Sequence, residues 1–199
     1  MRIDKQMNLV LEFDREKEPK VYIHATPIEE ETFASYHSII AKTFTKIYAG
    51  GYGPVGGPPV AEMILRDIAE ADQIWESKGG RIGVRDGLVA EIHRRAVVLR
   101  AGQNGAWEQM PYDDAKAAGI FSAREARVTE GALTFFTVLS LMHEPAQLIP
   151  MLEIAWSMLP ARIESLNCME FRNFLSTSTK AANTGEKKKE GSSAPSSSG

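Results

Sequence analysis

The chain contains a single cysteine, Cys168, among its 199 residues. An internal disulfide is therefore excluded, and so is a cysteine-based zinc site. A reducing compartment fits that usage. Long apolar runs are missing too. The longest stretch free of charge, "GALTFFTVLSLMH" at residues 131–143, is too short for a membrane span. A span needs roughly 20 apolar residues, so this stretch reads as a buried helix. The opening "MRIDKQMNLVLEFDREKE" mixes charge with its short apolar run and does not read as a signal peptide. There is no basic surplus either, since the formal charge is −3. General nucleic-acid binding is disfavoured. Arg94, Arg95 and Arg100 are read as solvated surface charge.

Catalytic signatures are equally sparse. No G-x-S-x-G and no D-x-D-x-D-G loop occurs. His24, His37, His93 and His143 stand in no tight metal-ligand spacing. His143 is placed at a helix end, where a cation suits the dipole. Asp113 and Asp114 are adjacent turn residues rather than an acid/base pair. Cys168 sits in an apolar helical pattern and reads as an inert buried thiol. Trp75 and Trp156 fall in helical stripes; Trp107, in a loop, is the tryptophan to inspect for a partner surface. No catalytic, cofactor-binding or metal-binding residue is assigned, no cofactor is implied, and an enzyme is not expected.

One motif invites a cofactor reading. "AGGYGPVGGPPV", residues 49–60, places Gly51, Gly53 and Gly56 in the G-x-G-x-x-G pattern. A dinucleotide turn needs a strand before it and free amides in the following helix turn. The preceding residues instead continue a helical stripe: Phe33, Tyr36, Ile40, Phe44 and Ile47. Pro54, Pro58 and Pro59 remove donors from the turn. The segment is read as a Gly/Pro-rich loop over 50–59, a hinge between two helices.

The rest of the chain is organised as follows. "MNLVLEF" and "KVYIHA" alternate and form a hairpin over about 7–25. "TPIEEETF" starts a helix, with Thr26 as cap, Pro27 at the first position and Glu29 closing a capping box. Val60, Ile64, Ile68, Ala71 and Trp75 mark a second helix. Leu88, Ile92, Ala96 and Leu99 mark a third. "AGQNGAWEQMPYDD" is a loop, followed by a short helical turn through Ala118. Ser122 and Glu125 cap a helix that is apolar on nearly every side from Ala132 to Met142, hence central. "PMLEIAWSML" and "PARIESLNCMEFRNFL" read as two more helices. From Ser176 no large apolar side chain remains, so residues 176–199 are expected to be disordered. The fold class expected is mainly α: residues 1–175 form a helical globular domain with a short N-terminal β-hairpin, and 176–199 a tail.

This layout resembles that of tail assembly chaperones of long-tailed bacteriophages, in the short form made before a programmed ribosomal frameshift. The likeness rests on "VYIHATPIEEE" at 21–31, "FFTVLSLMHEP" at 135–145, "EIAWSMLP" at 153–160 and "MEFRNFLSTS" at 169–178, with a polar tail carrying a lysine run. The resemblance implies a non-enzymatic viral tail assembly factor. Its partners would be the tape measure protein and, through the frameshifted extended form, the tail tube protein, with self-association. It implies no nucleic-acid or membrane partner, location in the host cytoplasm, and absence from the mature virion. Lys187, Lys188 and Lys189, between Glu186 and Glu190, would then mark the slippery stretch. The other reading is a structural or adaptor protein that stays in the virion.

Overall fold

The computed structural model describes residues 7–15, 20–73, 83–102, 106–143, 145–157 and 159–187. Helices make up most of them, as expected. The β component, however, is larger than one hairpin. β1 (Asn8–Phe13) and β2 (Val21–Ala25) do form an antiparallel hairpin, pairing Leu11 with Ile23. That hairpin is the centre of a five-stranded antiparallel sheet, completed by β3 (Ala96–Ala101), β4 (Trp107–Pro111) and β5 (Ala161–Glu164). The strand order is β4-β3-β2-β1-β5.

All three added strands differ from the sequence expectation, each for a physical reason. Ala96 and Leu99 extend the spacing of Leu88 and Ile92, but helix α3 (Val84–Arg94) stops before them. Residues 96–99 are an apolar run with two β-branched valines. As β3 they pair with β2, and Val98 and Leu99 are buried on opposite faces. The expected loop at Trp107 is an edge strand paired with β3. The expected last helix is split: Ala161–Glu164 pairs with β1 before helix α7 begins.

Helix α1 (Glu30–Ala49) carries the expected stripe, with Ile40 and Ile47 buried and Phe33, Tyr36 and Phe44 packed at the margin. Its start differs. The Thr26 amide donates to the Arg95 carbonyl at 3.1 Å, and Ile28 is buried. Residues 26–29 are thus held as an extended link, and Glu29 occupies the N-cap without a side-chain cap bond.

The 50–59 loop is corrected most. Only Gly50 to Tyr52 turn; helix α2 (Gly53–Ala71) already begins at Gly53. Gly51 and Gly53 adopt φ of +73° and +55°, which glycine tolerates. Pro54 lies in the first turn, where no amide bond is missed. Pro58 is buried against Gly131, and that packing offsets the lost ladder bonds.

Helices α3 and α4 (Tyr112–Ala117) flank the sheet, and α5 (Ala123–Met142) is the central helix. Ser122 and Glu125 form the expected capping box in both directions. Residues 131–139 of α5 are buried without a break. Helix α6 (Pro145–Trp156) starts one turn earlier than Pro150, because Leu148, Leu152, Ala155 and Trp156 form one buried stripe across that proline.

The helices from α1 to α6 and one sheet face share the main core. Helix α7 (Cys168–Lys187) covers the opposite face, burying Phe171 and Leu175 against Val10, Tyr22 and Leu99. The arrangement is a three-layer α/β/α stack. Helix α7 runs through 176–187, the first part of the expected tail, since extending a helix from a docked turn is far easier than starting one. Residues 188–199 lie outside the described residues.

Candidate interaction surface

The corrected start of α2 creates the most distinctive surface feature. The buried side of the helix carries Ala61, Ile64, Leu65 and Ile68. On the opposite side, Tyr52, Val55, Pro59 and Met63 follow one another at three- and four-residue steps. Such steps stack side chains along one helix face. All four face solvent, and Tyr52, Val55 and Met63 are 46%, 46% and 50% exposed. The ends of this row, Tyr52 and Met63, lie eleven steps apart in the chain, roughly 16 Å along a helix axis. Exposed Arg66 and Glu70 continue it with charge. An apolar row followed by charge is the pattern that receives an amphipathic helix. Reading 50–59 as a loop hides the row, since Tyr52 and Val55 then belong to no helix; running the helical period upstream from Met63 recovers it.

A cleft of about 440 Å³ lies between α1 and the end of α2, walled by Ala41, Thr45, Ile68 and Ala71. Lys42 bridges it to Asp72. A second, of about 490 Å³, opens between the start of α1 and the end of α5.

The residues singled out in the sequence are dispersed. His24 is buried in β2 and its Nε2 donates to the Leu166 carbonyl at 2.9 Å. Burial pulls its pKa below the usual histidine range. His37 packs edge-on to Phe33. His93 Nδ1 lies 2.7 Å from Asp113 Oδ1, and Tyr112 stacks beneath it. His143 ends α5 with its ring on Phe44, and its buried Nε2 has no partner among the described residues. Cys168 is half-buried, and burial pushes its thiol pKa up, which disfavours the reactive thiolate. Among the described residues, no three His, Cys, Asp or Glu side chains converge on a metal-sized site.

Gly51 and Gly53 have open space where a Cβ would stand, while Gly56 rests on Tyr52. No strand precedes this turn, since the residues before it are α1. Arg94, Arg95 and Arg100 each pair with a carboxylate, of Glu91, Glu29 and Glu108. Trp107 belongs to β4 and stacks edge-on against Tyr22, 5.4 Å between centroids, so it serves the second core. Trp156 is in the main core against Phe135. Trp75, Lys188 and Lys189 lie outside the described residues. No described helix is long and apolar enough to cross a membrane. No family model, no curated protein and no solved structure matches the chain.

Proposed function

We propose that this chain is a non-enzymatic tail assembly chaperone of a long-tailed bacteriophage, in its short, pre-frameshift form. It binds helical segments of the tape measure protein while the tail is built in the host cytoplasm. The frameshifted extension brings tail tube subunits, and the chaperone leaves before the virion matures. The sequence resemblance suggests the process. The exposed apolar row Tyr52–Val55–Pro59–Met63 is the observation that carries the binding role, because a solvated apolar helix face is a surface for another helix. Coating a long partner needs many copies, so self-association belongs to the same reading.

Co-expression with a tape measure protein of such a phage tests the proposal. The wild-type chain is expected to keep that protein soluble and to co-purify with it. The double variant Val55→Lys and Met63→Lys should weaken the complex about tenfold to a hundredfold, since two apolar anchors are lost. Its circular dichroism and melting temperature should match wild type, because both side chains face solvent. Full complex formation by the variant would move the surface elsewhere. A soluble partner without any complex would overturn the proposal. Stoichiometric presence of the chain in purified particles would favour a virion component instead.

A further inference from the structure

Four helices, α2 to α5, enclose a cavity of about 190 Å³. An apolar cavity of roughly 150 Å³ holds benzene, so the space suits about six to ten non-hydrogen atoms. Val89 and Ile92 of α3 and Thr134 of α5 supply its less polar wall. Thr134 is only 3% exposed and brings a hydroxyl to an otherwise apolar floor.

Ion pairs of both polarities make the rim. Arg85 Nη2 donates to Glu62 Oε1 at 2.7 Å, while Lys116 donates to Glu130. His93 also faces the space and is tied to Asp113.

This lining discriminates among ligand classes. A simple anion meets Glu62 and Glu130, and a simple cation meets Arg85 and Lys116. A hydrocarbon strips water from all four charges and returns nothing. A small zwitterion with an aliphatic side chain answers every wall. Partly exposed ion pairs contribute little to folding, so they exchange partners at small cost.

We infer that this cavity binds a free aliphatic α-amino acid. The carboxylate lies toward Arg85 and Lys116. The ammonium lies toward Glu62 and Glu130, and the side chain rests on Val89 and Ile92. The inference is separate from the tail-assembly reading, because it concerns the isolated chain.

Isothermal titration calorimetry of the full chain with L-leucine tests it. A saturable heat with Kd of about 1 mM or tighter is expected. Leucinamide, which keeps only the ammonium, and N-acetyl-leucine, which keeps only the carboxylate, should each bind at least about tenfold more weakly. Val89→Phe fills the floor and should abolish binding. Glu62→Gln conserves the volume and should weaken leucine about tenfold while leaving the fold intact. Absence of heat with leucine overturns the inference. So does equal binding of leucine and either masked analogue, or unchanged binding by both variants.

Discussion

At the scale of single residues, His24 shows how position overrides type. It lies on β2 facing α7, in contact range of Phe171 and bonded to the Leu166 carbonyl. Burial is the main cause of its lowered pKa, and the hydrogen bond to Leu166 and the charge of Glu164 offset it only in part. A histidine whose folded pKa is depressed is neutral in both states above its unfolded value. Below about 6.5 the unfolded chain takes up the proton first. Its contribution to stability is therefore complete above that pH and is lost as pH falls toward the folded pKa. His24→Gln should flatten the dependence of stability on pH below about 6.5. Urea midpoints at several pH values check this; parallel curves for variant and wild type would count against it. The sequence places His24 in a strand, but not beneath a second helix layer, so the shift was not legible there.

At the scale of elements, the contact between α2 and α5 sets the core. A Cβ on Gly131 would stand 2.3 Å from the Pro58 carbonyl oxygen, and one on Gly57 would stand 2.2 Å from the Phe135 ring. Two glycines thus let the backbones approach, and the buried run of α5 lies against the proline-bearing turn of α2. Gly131→Ala is expected to destabilise by about 1–3 kcal/mol, as other overpacked cores do. It should exceed Gly57→Ala, because a ring can swing aside and a helix backbone cannot. A lower urea midpoint at unchanged slope is the readout. The all-round apolarity of α5 and its Ser122 capping box were legible, because both are local in sequence. The role of "VGGPP" was not: as a string it signals a loop, and only its neighbour α5 makes glycine and proline useful inside a helix.

At the scale of the whole molecule, the sheet joins two cores. Leu9, Leu11 and Ile23 face the large helical layer, while Val10 and Tyr22 face α7. Each central strand is shared, so neither layer can leave without exposing the other's floor. The two sides should unfold together. Tryptophan fluorescence tests this in a Trp75→Phe background. Trp156 then reports the main core and Trp107 the second, each alone after replacing the other by phenylalanine. Coincident midpoints, each referenced to that variant's circular dichroism, are expected of a single transition. A Trp107 signal lost clearly earlier would make α7 a separate unit. The same layering bears on the proposed partner surface: α2 is braced by the central helix, so its exposed row is held on a rigid element.

What the sequence determined by itself was local. The 3.6-residue stripes of α1, α2 and α5, the alternation of β1 and β2, the Ser122 cap and the lack of catalytic spacing all depend on neighbours a few residues apart. Only the tertiary structure decided the rest. β3 and β5 became strands because the central hairpin offered two unpaired edges, and β4 because β3 offered the next; backbone amides and carbonyls there need partners that no local pattern names. The row from Tyr52 to Met63 and the charged cavity beneath α3 exist because distant helices decide which faces are covered. A glycine-rich string met first as a cofactor motif is, in the folded chain, a three-residue turn and the start of a packed helix.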